Sequence, residues 1–268
     1  MRIGIIGCGA IGSTLAKAAE DMKEVEETYI FDKSHVCSRA MEEKLSKAKS
    51  ILDFEELVFK SDFIIEAASQ EAVGLFAEKI LESGKDILIM SVGALVDDSL
   101  REGLLNTAKE NDSKIYLPTG ALCGIDGLNS AVVTGIDEVT LTTRKPPFAF
   151  EDVEYVKKMG IDLENMEKPI TIFEGNAKEA VKLFPRNVNV AATVSLAGIG
   201  FEDTKVKIIA DPRANQNHHK IEAKGTFGTM TAEMNNLPFE KNPKTSRIAA
   251  QSAISALKKI VSTYWVGA

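Results

Sequence analysis

The sequence predicts an α/β protein with a doubly wound parallel sheet in its N-terminal half and a second, α+β domain after it. Apolar runs of strand length alternate with amphipathic, helix-length segments through the first 120 residues. Those runs are continuously apolar, which is typical of parallel strands that helices cover on both faces. Beyond Gly120 the strand candidates alternate polar and apolar residues, which predicts a sheet with one exposed face.

Five apolar runs justify the strands of the first domain, which we place at residues 1–120. They are "RIGIIG" from Arg2, "TYIFD" from Thr28, "DFIIEAA" from Asp62, "DILIMSVG" from Asp86 and "KIYLPTG" from Lys114. Their spacing leaves room for a helix between successive strands, as parallel crossover connections require.

The second domain, which we place at residues 121–240, combines strand candidates with helix candidates. The strand candidates are "EVTLTTRKPP", "ITIFEG", "KVKIIADP" and "HKIEAKGTFGTMTAEM", and the helix candidates lie near 151–159, 176–184 and 187–199.

The last segment, 241–268, contains the helical pattern "TSRIAAQSAISALKKIV". Its apolar positions recur at helical spacing and include Ala250 and Leu257, and either Thr245 or Ser246 is available as the N-cap. We predict a C-terminal helix that packs on the first domain.

Composition narrows the class of ligand. The chain has 39 acidic and 32 basic side chains and a net charge of -7, which disfavours nucleic acid and anionic membranes and favours a small-molecule substrate. The longest uncharged apolar stretch, "NVNVAATVSLAGIGF" from Asn187, is shorter than the roughly 20 residues that span a bilayer, so no membrane span is predicted. The three cysteines, Cys8, Cys37 and Cys123, predict no disulfide framework and a reducing, cytoplasmic location.

A glycine fingerprint follows the first strand. In "GCGAIG", Gly7 allows a tight turn, Gly9 lets the backbone approach a pyrophosphate, and Gly12 lets helix and strand pack closely. The helix that begins there, with the amides of Ala10 and Ile11 in its first turn, offers donors to the phosphates. An acidic residue, Asp32, ends the second strand, where its carboxylate can accept bonds from a ribose.

These features predict a Rossmann domain that binds NAD or NADP. Asp32 favours NAD because a carboxylate repels a 2′-phosphate, but Lys33, Ser34 and Arg39 follow closely and keep NADP open. The alternative is a glycine-rich turn in which Asp32 is an ordinary strand-end residue.

Two further loops occupy positions that line the ligand crevice of an open parallel sheet. Ala68 and Ser69 follow the third predicted strand, and "SVGAL" from Ser91 follows the fourth. We predict that Ala68 and Ser69 contact the cofactor, although either loop could be a plain connection.

Several longer stretches carry a family resemblance. They are "EAASQEAV", "PTGALCGIDGL", "TTRKPP", "FPRNVNVAATVSLAG" and "NHHKIEAKGTFG", together with the glycine fingerprint. The chain resembles the L-aspartate dehydrogenases of archaea and bacteria nearly end to end. The resemblance implies a Rossmann domain followed by a catalytic domain, a homodimer, and NAD(P)-dependent oxidation of L-aspartate through iminoaspartate to oxaloacetate and ammonia. In some organisms iminoaspartate feeds NAD synthesis.

The resemblance also implies site residues. The family pattern Asn-any-His falls on Asn217 to His219, so His219 is the implied catalytic residue and His218 the variable position. Cofactor contacts fall on Cys123 and Asn189. The family commonly has alanine where Cys123 stands, so its contact is expected from the backbone.

A dicarboxylate needs groups that bind anions, and the sequence does not rank the candidates. They are Lys145, Arg186, Lys220 and Thr229.

The histidine pair is also compatible with a structural role. Neighbouring residues on a strand point to opposite faces, so His218 and His219 do not share a pocket unless the strand bulges, and a strand histidine is often a hydrogen-bonded rim residue. A metal site is not predicted, because His35 is the only other histidine and no close Cys/His spacing accompanies the pair.

Two other functions compete with amino-acid oxidation. A dihydrodipicolinate reductase also carries a histidine pair in its second domain, but its glycine-serine-threonine loop is replaced here by "GTFGTM". A non-catalytic dinucleotide sensor is a rival of another class, and it would lack converging polar groups in the second domain.

Overall fold

The computed structural model describes residues 1–184, 189–239 and 242–267. The chain divides into two compact units. The first comprises Met1–Pro118 with Ala250–Tyr264, and the second runs from Thr119 to Ala249 and includes the C-terminal residues from Trp265.

A six-stranded parallel sheet forms the centre of the first unit. Its strands, in chain order, are β1 (Arg2–Ile6), β2 (Glu27–Phe31), β3 (Ala48–Ile51), β4 (Phe63–Glu66), β5 (Asp86–Ile89) and β6 (Ile115–Tyr116). They lie in the order β3-β2-β1-β4-β5-β6, which is the Rossmann arrangement with its reversal between β1 and β4. The predicted doubly wound sheet is confirmed.

Five helices connect these strands. They are α1 (Ala10–Glu20), α2 (His35–Glu42), α3 (Phe54–Lys60), α4 (Gln70–Glu82) and α5 (Asp98–Glu110). Three begin with side-chain caps, because Asp53, Ser69 and Asp97 each accept a first-turn backbone N–H. The strands are buried between the helices, with Ile3, Ile64 and Leu88 fully inaccessible to solvent.

One strand of the first unit was not predicted. The stretch that forms β3, "AKSI", has two polar residues among four and lies at the edge of the sheet, paired only with β2 among the described strands. An edge strand needs less apolar surface than a central one, so its sequence carries a weak signal.

The second unit is built on a five-stranded mixed sheet in the order β11-β10-β7-β9-β8. The strands are β7 (Ile136–Lys145), β8 (Ile170–Asn176), β9 (Lys205–Ala210), β10 (Asn217–Gly225) and β11 (Gly228–Asn236). β7 and β9 pair in parallel, and the other pairs are antiparallel. Burial alternates along β7 and β10, so this sheet has a buried inner face and a more accessible outer face.

The remaining α-helices and strands lie in the second unit, apart from most of the C-terminal helix. They are α6 (Ile125–Val132), α7 (Glu154–Lys158), α8 (Ala177–Leu183), α9 (Asn189–Ala197), the two-stranded ribbon β12 (Pro238–Phe239) and β13 (Asn242–Ser246), and α10 (Arg247–Val261). α10 begins directly after Ser246, one of the two predicted caps, and its residues from Ala250 onward group with the first unit. Over the described ranges, no helix combines the length and apolar character needed to cross a membrane.

Candidate active site and cofactor site

The turn from β1 into α1 tolerates only glycine at two positions. Gly7 has a φ of 97°, and a Cβ there would lie 2.8 Å from the carbonyl oxygen of Ala67. A Cβ on Gly12 would lie 1.9 Å from the carbonyl oxygen of Gly7, so helix and strand can approach only without one. Gly9 differs, because nothing lies within 4 Å of the place its Cβ would take. The backbone at Gly9 therefore faces open space.

The N-terminus of α1 faces the same loop. Among the described residues, no side chain caps the helix at Gly9. The first-turn amides, which include those of Ala10 and Ile11, have no acceptor within the helix, and the helix dipole adds positive potential there. A pyrophosphate fits this combination of open space and amide donors.

Asp32 is fixed at the end of β2 by two backbone amides. Its Oδ2 atom accepts the N–H of Cys8 at 2.7 Å, and its Oδ1 atom accepts the N–H of Ser34 at 2.7 Å. The carboxylate therefore connects the glycine loop to Ser34, the residue that precedes α2. Each oxygen keeps lone-pair capacity for a ribose hydroxyl.

A cavity of about 450 Å³ is lined by five of the eight predicted cofactor residues of the first unit, and Ala10, Ile11 and Gly12 are not among its lining residues. Its lining includes Gly7, Gly9, Asp32, Ala68 and Ser69, together with Lys33 and the apolar side chains of Ala72, Leu75 and Phe76. The size and the apolar wall suit a nucleotide. Because both Asp32 and Lys33 line the cavity, the geometry accommodates NAD or NADP.

Glu66, at the end of β4, is a buried carboxylate that the sequence analysis did not single out. It accepts the N–H groups of Ala68 at 2.8 Å, Ser69 at 2.9 Å and Ser91 at 3.0 Å, and the Ser91 hydroxyl at 2.9 Å. Burial raises the pKa of Glu66, and these four donors oppose that rise. The side chain thus joins the loop that lines the cavity to the loop that follows β5.

The sequence predicted no disulfide framework, yet two of the three cysteines are paired. Cys8 and Cys37 form a disulfide, with Cα atoms 6.2 Å apart, and Cys123 is free. Their separation of 29 residues along the chain gave no indication of contact. The fold brings them together because the glycine loop and the start of α2 flank the same carboxylate, Asp32.

In the second unit, His219 lies on the inner face of the mixed sheet. It is 3% exposed, and its Nδ1 atom lies 3.1 Å from the hydroxyl oxygen of Thr143, which is opposite it on β7. Burial, and after it the charge of Lys145 and then His218, lowers the pKa of His219 to about 3. The imidazole is therefore neutral at neutral pH, and its burial makes it a weaker base than an exposed histidine.

His218 faces the outer side of the sheet. Its Nε2 atom lies 2.6 Å from Oε1 of Glu233 on β11, while His219 points to the inner face. The strand has no bulge at this point, so the two rings do not share a site. Across the described part of the chain, no group of three or more His, Cys, Asp or Glu side chains is placed to hold a metal ion.

Other polar groups share the buried inner face with His219. Asn217 donates from Nδ2 to the Ser246 hydroxyl at 3.1 Å, and Asn236 donates from Nδ2 to the carbonyl oxygen of Ala121 at 2.8 Å. Lys145 is also buried, and burial lowers its pKa to about 8. Alternation along each strand predicts that Thr143 and Lys145 share one side of "TLTTRK" and that Asn217 and His219 share one side of "NHHKI". The pairing of β7 with β10 then puts both pairs on the same face.

The two other predicted cofactor residues also lie in the second unit. Cys123 is half-buried, with its sulfur 3.5 Å from the carbonyl oxygen of Glu233. Asn189 is an exposed residue at the start of α9, and its carbonyl accepts the hydroxyl of Thr193 at 3.1 Å. The candidate anion ligand Arg186 lies outside the described residues.

Comparison with known proteins places this site in a family. The family model described as "Aspartate dehydrogenase, C-terminal" matches residues 126–260, and "Homoserine dehydrogenase, NAD binding domain" matches residues 7–118. The L-aspartate dehydrogenases of Methanosarcina barkeri and Methanosarcina acetivorans are 48% and 49% identical to this chain, covering 100% of it and 99% of each relative. The chain belongs to the aspartate dehydrogenase family.

A solved member of the aspartate dehydrogenase family has the same fold. The crystal structure of aspartate dehydrogenase from Thermotoga maritima matches with a TM-score of 0.77 and 28% identity, covering 100% of this chain and 99% of that one. Membership confirms the resemblance drawn from the sequence motifs. The cofactor is NAD or NADP, as the match to the NAD-binding domain indicates.

Proposed function

We propose that this chain oxidises L-aspartate with NAD or NADP, through iminoaspartate, to oxaloacetate and ammonia. The observation that carries the proposal is the 48% identity, along the full length, to an L-aspartate dehydrogenase. The reaction requires a proton acceptor and a cofactor site. The buried, neutral His219 and the nucleotide-sized cavity beside Asp32 fit these two requirements.

His219 is the proposed general base. Aspartate must lose a proton from its ammonium group before a hydride can leave the Cα atom, because only the amine lone pair can form the imine. A neutral imidazole accepts that proton, and the tautomer that donates from Nδ1 to Thr143 leaves the Nε2 lone pair for it. NAD(P)⁺ held in the cavity of the first unit would supply the hydride acceptor.

Hydrolysis of the imine needs a second proton transfer. Water must lose a proton as it adds to the imine carbon, and the departing nitrogen must gain one before ammonia leaves. Once His219 has released to solvent the proton that it took from the ammonium, it can accept the proton of the attacking water and return it to the departing nitrogen. A positioned base of this kind contributes roughly 10²- to 10⁴-fold to the rate. Thr143 positions the ring for each transfer.

The proposed cofactor contacts follow from the chemistry of each position. The amides of Ala10, Ile11 and Gly12 bind the pyrophosphate, and Asp32 binds the adenosine ribose. Gly7, Gly9, Ala68 and Ser69 shape the cavity wall. Cys123, through its backbone, and Asn189 are the proposed contacts in the second unit.

Three further features belong to this proposal: a homodimer, a cytoplasmic location and a supply of iminoaspartate for NAD synthesis. The dimer and the supply of iminoaspartate are carried by the family resemblance alone. The cytoplasmic location was predicted from the cysteines, and the pairing of Cys8 with Cys37 counts against that argument. Sedimentation equilibrium of the purified chain tests the dimer directly, because the expected mass is twice the 29.1 kDa of one chain.

The decisive experiment measures NADH and NADPH formation with L-aspartate, D-aspartate, L-glutamate and L-alanine. We expect turnover of L-aspartate alone. His219→Ala should lower kcat at least 100-fold and leave NADH binding unchanged, because the base is lost while the cofactor cavity is intact.

The matched control is His218→Ala, which removes the neighbouring ring from the outer face of the same strand. We expect it to retain kcat within about twofold. Full activity of His219→Ala, or equal losses in both variants, would show that His219 is not the base. A wild-type chain that binds NADH but oxidises none of the four amino acids would refute the proposed reaction.

A further inference from the structure

Three of the four candidate ligands for the carboxylates of a dicarboxylate substrate lie among the described residues, and the fold separates these three. Lys220 and Thr229 lie on the outer face of the sheet, and the ammonium of Lys220 is 2.8 Å from Oε1 of Glu222. Lys145 lies on the inner face, two residues along β7 from Thr143. It therefore shares its face with His219, the proposed base.

Lys145 is unusual in its burial. It is 4% exposed, and among the described residues it is the one lysine or arginine in the buried core. Its charge is close enough to His219 to lower the pKa of that imidazole. Coulombic attraction is stronger away from water, so an ammonium in this position binds an incoming carboxylate more strongly than an exposed lysine would. The position of Lys145 therefore favours an anionic ligand next to the proposed base.

The buried carboxylate on the neighbouring strand has other partners. Asp211 follows β9 directly, and its Oδ2 atom is 2.7 Å from a guanidinium nitrogen of Arg144, which projects from the outer side of β7. Its Oδ1 atom accepts the N–H of Arg213 at 2.9 Å. Asp211 is thus bound to the guanidinium of Arg144 and to the backbone of Arg213.

We propose that the ammonium of Lys145 binds a carboxylate of the dicarboxylate substrate and holds that substrate beside His219. This inference rests on the proposed function for the identity of the substrate. L-Aspartate carries two carboxylates, so an ion pair between one of them and Lys145 orients the amine toward the base. Lys145 is a substrate-binding residue here, and proton transfer stays with His219.

The test compares Lys145→Met with Lys220→Met. Lys145→Met removes a buried ammonium with little change in side-chain length. Lys220→Met makes the same change on the outer face of β10, the neighbouring strand. Measured quantities are kcat and KM for L-aspartate, the Kd for succinate by calorimetry with NADH present, and the Kd for NADH by fluorescence.

We expect Lys145→Met to raise both the KM for L-aspartate and the Kd for succinate at least tenfold, because a charge-assisted hydrogen bond is lost. NADH binding should stay within twofold, and Lys220→Met should match the wild type in every quantity. Unchanged KM and succinate Kd in a folded Lys145→Met protein would overturn the proposal. A purely structural role predicts that outcome together with a lower melting temperature.

The wild type supplies a second test if Lys145→Met does not fold. Succinate is fully ionised above pH 7, His219 stays neutral there, and Asp211 is ionised and paired with Arg144. Among the described residues named on the inner face, Lys145, with its pKa lowered to about 8, is then the group that loses charge between pH 7 and 10. Succinate affinity should fall at least tenfold over that range, and a constant affinity would overturn the proposal.

The measurements distinguish failure of the proposed anion site from failure of the proposed reaction. A wild type that binds succinate through Lys145 but oxidises no amino acid keeps the anion site and refutes the dehydrogenase function. A wild type that oxidises L-aspartate with a KM indifferent to Lys145→Met keeps the function and refutes the anion site.

Discussion

At the scale of single residues, Glu66 connects two loops of the first unit through one buried carboxylate. Its oxygens accept the amides of Ala68, Ser69 and Ser91 and the Ser91 hydroxyl. In Glu66→Gln an NH₂ group would face amide donors, so we expect the free energy of unfolding to fall by about 3 kcal/mol. NADH binding should weaken about tenfold, because Ala68 and Ser69 line the cavity.

Urea unfolding and NADH fluorescence titration measure the two effects of Glu66→Gln. The control is Glu55→Gln, which alters an exposed carboxylate on α3. If Glu66→Gln unfolds at the same urea concentration as the wild type and binds NADH equally well, the four hydrogen bonds do not organise the loops.

The sequence predicted residues whose role is set by local spacing and missed those whose partners are remote. Gly7, Gly12 and Asp32 were predicted because the turn, the close packing and the strand end recur at fixed separations. Glu66 was missed because the partner that links it to the second loop, Ser91, lies 25 residues away. Lys145 was named but not ranked, because only strand pairing shows that it shares a face with His219.

At the scale of elements, two glycines at the start of α1 have separate roles. Gly12 permits close contact between helix and strand, and Gly9 leaves space for the cofactor. Gly12→Ala forces a Cβ to within 1.9 Å of the carbonyl oxygen of Gly7, so we expect a loss of several kcal/mol in stability. Gly9→Ala meets no atom within 4 Å and has a φ of -68° that alanine adopts readily.

Gly9→Ala should therefore keep the melting temperature of the cofactor-free protein within about 2 °C and weaken NADH binding at least tenfold, because the new methyl group occupies the space where the pyrophosphate approaches. Differential scanning fluorimetry with and without NADH measures the melting temperature and the NADH binding of Gly9→Ala and Gly12→Ala. Normal NADH affinity in Gly9→Ala would place the pyrophosphate elsewhere.

Element prediction succeeded where periodicity was strong. The continuous apolar strands of the first unit and the alternating strands of the second appear as predicted, because burial on two faces or on one face dictates those patterns. β3 lacks either pattern, and α6 was missed because its eight residues, "IDGLNSAV", include a glycine and span barely two turns.

At the scale of the whole molecule, the first unit is assembled from distant parts of the chain. Residues Ala250–Tyr264 group with Met1–Pro118, and within them Ala250, Ala253 and Leu257 are fully buried. The amphipathic pattern in the sequence predicted this helix. Such a pattern indicates that one face is buried, but it does not identify the residues that cover that face. That the helix stabilises the cofactor-binding domain stays a prediction, which Leu257 tests.

Leu257→Ala should lower the free energy of unfolding by about 3 kcal/mol, because it removes a buried side chain and leaves a cavity. If the helix stabilises the cofactor-binding domain, the transition that shifts to lower temperature is the one that NADH raises most, since the first unit supplies most of the proposed cofactor contacts. Calorimetry with and without saturating NADH identifies that transition, and Lys258→Ala, on the exposed side of α10, is the matched control. An NADH-sensitive transition at the wild-type temperature in Leu257→Ala would show that the helix contributes nothing to that domain.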